Sequence, residues 1–127
     1  MKHAVIIGID HPAVAATDPA QLAQWYIAVL DYTEYHRTDR NVWILAAPDG
    51  SLLEVMPKDD TARPERTTWT PGWSHLALRV KDLEQAAATL RDRGVVFPDA
   101  PVAAIGGGRL LNFVDPEGNM LQIVSRS

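Results

Sequence analysis

The apolar and polar positions of this 127-residue chain run through the same succession of periods twice. Val5, Ile7 and Ile9 alternate with other residues, which predicts a strand over residues 4–16 that carries the chain through His11. Pro12 lacks the N–H that a ladder needs, so this strand is expected at a sheet edge, bulged, or starting afresh at the proline. The period then changes. Leu22, Trp25, Tyr26, Val29 and Leu30 recur at helical spacing behind Asp18-Pro19-Ala20-Gln21. That tetrad is a helix start: a capping carboxylate, a proline at the first helical position and a glutamine placed to reach back. Strands are predicted next at about 32–37, 41–46 and 51–56, which makes the unit β-α-β-β-β.

The second half repeats the plan. His75-Leu76-Ala77 followed by Asp82 matches His11-Pro12-Ala13 followed by Asp18, with one constant offset between the copies. Asp82 opens a helix with Gln85 at the capping position and Leu83, Ala86, Ala87 and Leu90 on one face, and Gly94 is placed to end it. Strands are predicted near 95–97, 109–114 and 120–125. Pro48-Asp49-Gly50-Ser51-Leu52-Leu53-Glu54-Val55 and Pro116-Glu117-Gly118-Asn119-Met120-Leu121-Gln122-Ile123 share a turn-to-strand pattern at a slightly longer offset. A short insertion therefore falls in the second copy, most simply around Gly106-Gly107-Gly108. The expected organisation is one domain, with module one over 1–57, a proline-bearing linker over 58–72 and module two over 73–127.

Composition narrows the function classes. The net charge of −4 and the scattered Lys and Arg give no footprint for nucleic acid or an anionic membrane. The apolar run from Ala4 to Ile9 is too short for a membrane span or a signal-peptide core, so a soluble cytoplasmic protein is expected. The absence of cysteine removes disulfides, thiolate ligands and a cysteine nucleophile together.

What remains is a set of repeat-matched polar residues on strands. Leu76 and Leu78 share one strand face, which turns His75 to the other. Leu121 and Ile123 likewise leave Gln122 opposite, and Leu53 and Val55 leave Glu54. With His11, these are two imidazoles, a carboxylate and an amide oxygen, a donor set suited to Zn²⁺, Ni²⁺, Co²⁺, Mn²⁺ or Fe²⁺. Taken singly, His11 reads as a strand-end histidine, Glu54 as a carboxylate paired with an arginine, and Gln122 as a hydrogen-bonded strand residue. Their matched positions favour ligation of one divalent metal ion. His3 and His36 have no repeat partner and are expected in solvent. Trp43, Trp69 and Trp73 are candidate pocket aromatics, with core or interface packing as the plainer role. Arg109 and Asn112 are candidate contacts for an anionic substrate.

The chain resembles the vicinal oxygen chelate superfamily, which includes glyoxalase I, methylmalonyl-CoA epimerase, extradiol dioxygenases, fosfomycin-resistance enzymes and bleomycin-resistance proteins. The resemblance spans nearly the whole chain. It is carried by Ser74-His75-Leu76-Ala77-Leu78, by Asp115-Pro116-Glu117-Gly118-Asn119 with Leu121, and by Trp25-Tyr26 leading to Val29-Leu30. It implies an α+β fold of two βαβββ modules in tandem, forming a curled mixed sheet around a central cleft, with His11, Glu54, His75 and Gln122 at the four metal-ligand positions. It also implies a small oxygenated substrate and a glyoxalase-like lyase or isomerase, in which a carboxylate moves a proton on the carbon beside a metal-polarised oxygen.

Two departures from that pattern stand out. Asp31 replaces a glycine after the first helix, and Gln122 stands where isomerases commonly carry Glu. An amide can bind a metal but cannot take a proton, so Glu54 is the expected base. The alternatives are an Fe²⁺ ring-cleaving dioxygenase using His11, His75 and Glu54, and a metal-free ligand-sequestering protein of the bleomycin-resistance type. A homodimer is expected.

Overall fold

A computed structural model of the chain describes residues 3–127 and divides it into two compact units that meet at Asp60 and Thr61. The first contains β1 (Ala13–Ala16), α1 (Pro19–Leu30), β2 (Thr33–Arg37), β3 (Trp43–Ala46) and β4 (Leu52–Pro57). The second contains β5 (Leu76–Arg79), α2 (Leu83–Asp92), β6 (Val102–Ala103), β7 (Arg109–Val114) and β8 (Met120–Ser125). Each is a βαβββ unit with its own open, four-stranded mixed sheet, ordered β1-β4-β3-β2 and β5-β8-β7-β6. The fold is therefore α+β, as the duplicated pattern implied, with a separate sheet in each module.

The helices form where the capping signals placed them. Asp18 accepts the backbone N–H of Gln21 at 3.0 Å, and Asp82 that of Gln85 at 3.0 Å. Each aspartate thereby satisfies a donor that the first helical turn leaves open. Tyr26 is buried in the face that α1 turns to its sheet, and its ring stands edge-on to both Trp25 and Tyr32. In the sheet below, Leu45 and Leu53 are paired across β3 and β4, Trp43 pairs with Val55, and all four are buried. Unit two repeats this with Leu111 opposite Ile123 and Phe113 opposite Leu121. Alternation then sends the intervening residues of β4 and β8, Glu54 and Gln122, to the sheet face away from the helix.

The ends of the helices differ. Gly94, at φ +95°, closes α2 in a Schellman motif: its N–H reaches the Arg91 carbonyl, and that of Val95 reaches the Leu90 carbonyl. Asp31 closes α1 at φ +63°, a left-handed position that the first helix fills without glycine.

Two expectations change. Residues 3–12 form no strand, and β1 begins only at Ala13, after Pro12. Val5, Ile7 and Ile9 alternate as a strand would but are 89, 100 and 93% exposed, so no sheet or helix among the described residues covers them. Second, residues 95–97 are not a strand. Val95 is used in the helix cap, Phe97 packs edge-on against Phe113, and Pro98 and Pro101 offer no N–H. The outer strand is instead the two-residue β6, paired with β7 through Val102–Leu110 and Ala103–Arg109. The Gly106-Gly107-Gly108 insertion is the turn between β6 and β7. Arg126 braces it by donating to the carbonyls of Ile105 and Gly107 at 2.7 and 2.9 Å.

Candidate functional site

The same register recurs in both modules. Ala13 pairs in parallel with Glu54, and its repeat counterpart Ala77 pairs in parallel with Gln122, the counterpart of Glu54. Each histidine stands two positions before its alanine, in the segment that leads into β1 or β5. The backbone turns before β4 and β8 also match. Gly50 and Gly118 take φ of +88° and +85°, and their N–H groups return to the carbonyls of Ala47 and Asp115. The locking side chains differ. Asp49 accepts from the backbone and hydroxyl of Ser51. Asp115, 2% exposed, accepts from the backbone of Glu117 and from the backbone and side chain of Asn119. Arg63 secures the second turn from outside, through the Glu117 carbonyl at 2.7 Å and the Asn119 side-chain oxygen at 3.0 Å.

In module one, Nε2 of His11 lies 3.1 Å from Oε1 of Glu54, and its Nδ1 lies 2.7 Å from Oδ2 of Asp10. The Asp10 hydrogen bond is the main influence raising the imidazole above its ordinary pKa of 6.5, with the Asp10 and Glu54 charges adding to it. In module two, Nδ1 of His75 lies 2.9 Å from the hydroxyl of Ser74. Gln122 is only 8% exposed, and its Nε2 donates to Oδ1 of Asn112 at 3.0 Å. Asn112 opposes Gln122 on β7 as Ile44 opposes Glu54 on β3. The amide of module two thus comes with its own amide partner, whereas the carboxylate of module one has a histidine.

These contacts leave a consistent set of donor atoms. The ring Nδ1 of each histidine is engaged by the preceding residue, and of the two Nε2 atoms that of His11 meets Glu54 while that of His75 is left. The Gln122 nitrogen is engaged, which leaves its oxygen. Glu54 is a carboxylate. Each module thus offers an imidazole and an oxygen, donor types that divalent cations of the Zn²⁺ to Mn²⁺ range accept. Among the described residues no three His, Cys, Asp or Glu side chains are gathered as a metal-binding group. His11 and Glu54 are in contact in module one, whereas in module two His75 is held by Ser74 and Gln122 by Asn112.

The other candidates lie elsewhere. Trp43 is buried on the helix side of its sheet, opposite in face to Glu54. Its indole N–H is held by Asn41, and the Arg37 guanidinium lies 4.5 Å over its ring. Arg109 shares the strand face of Leu111 and Phe113 and pairs with Glu84 of α2, so it too sits away from Gln122. Trp69 and Trp73 are exposed on the loop before β5. The guanidinium on the Gln122 face is that of Arg79, two positions beyond Ala77. It has no hydrogen-bond or ion-pair partner among the described residues. Residue patterning alone passes over Arg79, Asp10 and Ser74. The legible signal for the last two is an oxygen-bearing residue immediately before each histidine.

A duplicated βαβββ unit with repeat-matched ligand-type residues defines a class of two-module proteins, and sequence comparison gives the class its family. The chain belongs to the Glyoxalase/Bleomycin resistance protein/Dioxygenase superfamily, whose family model matches residues 8–123. It is 30% identical over 124 residues to the uncharacterized protein YaeR of Escherichia coli strain K12, covering 91% of this chain and 93% of that protein. Its fold is similar to that of a superfamily member from Sphaerobacter thermophilus, with a TM-score of 0.77 at 20% identity over 96% and 99% of the two chains. It is also similar to the fosfomycin resistance protein FosX of Listeria monocytogenes, a mutant crystallised with Mn(II) and 1S,2S-dihydroxypropylphosphonic acid. There the TM-score is 0.76 at 16% identity over 97% and 93%. The antibiotic-binding protein TnmS3 of a Streptomyces species matches with a TM-score of 0.76 at 23% identity over 98% and 100%. No helix among the described residues is long and apolar enough to cross a membrane.

Proposed function

We propose that this protein is a divalent-metal-dependent lyase or isomerase that moves a proton on a carbon next to an oxygen of a small oxygenated substrate. The observation that carries the proposal is the matched disposition of both modules. In each, a histidine with its Nδ1 engaged by the residue before it leads into the strand whose alanine pairs with Glu54 or Gln122. In this reading His11, Glu54, His75 and Gln122 hold one ion. When bound, the ion supplies polarisation of a substrate carbonyl or hydroxyl oxygen.

The chain's own residues then divide the work. Glu54 takes the proton from the adjacent carbon and returns it, and it is the one ligand of the four that is a carboxylate. Gln122 stays a passive ligand, held in orientation by Asn112. Arg79, on the Gln122 face, contacts the charge of an anionic substrate in place of Arg109. The exposed apolar run Val5, Ile6, Ile7 and Ile9 supports self-association, and we assign the protein as a cytoplasmic homodimer.

The test is proton exchange in deuterated water, followed by NMR over a panel of 2-hydroxy and 2-oxo acids and aldehydes with Mn²⁺, Ni²⁺ or Zn²⁺ present. The proposal expects exchange with the wild type and with Gln122→Ala, and none with Glu54→Gln. Loss in Gln122→Ala with retention in Glu54→Gln overturns the assignment. Oxygen uptake with Fe²⁺ points to ring cleavage. Tight ligand binding that no divalent ion affects points to a sequestering protein.

A further inference from the structure

We propose that Ser74 is the positioning residue of His75, fixing its ring as the Nδ1–H tautomer so that Nε2 is the open donor atom. The Ser74 hydroxyl stands between two groups and has one proton to share. Its hydroxyl lies 2.9 Å from the Thr68 carbonyl and 2.9 Å from Nδ1 of His75. A hydroxyl has one hydrogen to give, and a carbonyl oxygen can only accept. The hydrogen of Ser74 therefore goes to Thr68, and towards His75 the same oxygen is an acceptor. Nδ1 must carry the hydrogen, and in the neutral ring Nε2 is left with a lone pair.

The Thr68 carbonyl is itself held in place. Arg66 donates to the carbonyls of Thr70, Pro71 and Trp73 at 3.1, 3.2 and 2.7 Å, and the Thr67 N–H is taken by the Thr70 hydroxyl at 2.8 Å. The loop before β5 is thus a built support ending on His75, which runs from Arg66 through the loop to Thr68, then Ser74, then the ring.

Module one holds the matching ring nitrogen with a different group. Asp10 is the repeat counterpart of Ser74, as His11 is of His75, and its Oδ2 lies 2.7 Å from Nδ1 of His11. A carboxylate accepts and does not donate, so Nδ1 of His11 carries a hydrogen too, but the Glu54 carboxylate lies 3.1 Å from its Nε2, and this ring, unlike that of His75, has an acceptor at both nitrogens. Neither strand pairing nor burial requires a partner on these exposed rings, and the two partners differ in kind. What they share is the atom they occupy. A ligating histidine commonly has its second nitrogen held in this manner, which orients the ring and strengthens the donor.

The consequence for metal affinity rests on the proposed metal site, whereas the tautomer does not. The experiment is therefore two-part. Long-range nitrogen–proton NMR on the metal-free full chain, above the pH where the rings are charged, reads which nitrogen of each ring is protonated. His3 and His36, both exposed, serve as references for an unconstrained ring. We expect Nδ1–H on His75, a shift of His75 to the reference pattern in Ser74→Ala, and retention of Nδ1–H in Ser74→Thr. Titration with Mn²⁺ or Zn²⁺ should then show affinity falling roughly 10- to 100-fold in Ser74→Ala and recovering in Ser74→Thr. Nε2–H on His75 in the wild type, or a His75 pattern unmoved by Ser74→Ala, overturns the assignment. The wild-type spectrum decides this even where a variant fails to fold. Wild-type Nδ1–H on His75 with no uptake of either ion upholds the positioning assignment and removes the metal reading instead.

Discussion

Gln122 donates its amide N–H to Oδ1 of Asn112 at 3.0 Å, on the face of β8 that its module turns away from α2. This pair replaces the Glu54–Ile44 neighbours of module one, so the exchange of a carboxylate for an amide is matched by a second exchange across the strand. Restoring the module-one partner should break the match. Asn112→Ile leaves a nearly buried amide nitrogen without its acceptor, which should lower stability by about 1–3 kcal/mol in urea unfolding. The double variant Asn112→Ile with Gln122→Leu should recover most of that loss. A single variant as stable as the wild type would show that the hydrogen bond contributes nothing.

The arginines of β7 and β5 should separate in their effects. Arg79→Ala should weaken binding or turnover of an anionic substrate several-fold, because a charge-assisted contact is lost. Arg109→Ala should leave binding and turnover unchanged. Its effect falls on Glu84, whose carboxyl the Arg109 hydrogen bond holds below its ordinary value of 4.5. With a lowered folded-state value, the contribution to stability is present above about pH 4.5 and is lost as pH falls through the lowered pKa. Removing Arg109 should return the Glu84 titration, followed by carboxyl NMR, towards its ordinary value. It should also flatten the acid limb of the stability curve.

Much of this architecture is legible in the chain. The capping aspartates, the helical stripe from Leu22 to Val29 and the β7 and β8 segments depend on local chemistry, and local chemistry is what periodicity reports. The failures have a physical form too. Val5, Ile7 and Ile9 alternate as a strand would, but a strand also needs a partner edge, and no strand pairs with that stretch among the described residues. Val95 and Phe97 carry strand-type side chains, yet Val95 is taken by the Schellman cap of α2. Residue type alone marks Trp43 and Arg109 as pocket groups. Which face a strand residue occupies is set by register with its neighbours, and both fall on the helix side. Asp10 and Ser74 escape pattern reading because their role lies in one ring nitrogen and not in any periodicity.

The triple glycine separates conformational need from space. Gly106, Gly107 and Gly108 all take positive φ, but only at Gly108 is there no room. A Cβ there would lie 1.9 Å from the Ser125 carbonyl oxygen and 2.7 Å from the Arg126 Cα, both backbone atoms. Gly108→Ala should therefore cost roughly 2–5 kcal/mol, combining the left-handed penalty with a displaced β8 end. Gly107→Ala has open space and should cost only about 1–2 kcal/mol. Thermal unfolding of the two variants distinguishes the effects, and equal losses would contradict the steric argument.

The central claim of the proposed function is that His11, Glu54, His75 and Gln122 together hold one divalent ion, two ligands from each module. Calorimetric titration of metal-stripped protein with Mn²⁺ and Zn²⁺ measures this directly. The account predicts one ion per chain, with affinity lost in His11→Ala and equally in His75→Ala, although the two residues lie in different modules. Binding that survives either substitution, or a protein that takes up neither ion, would contradict it.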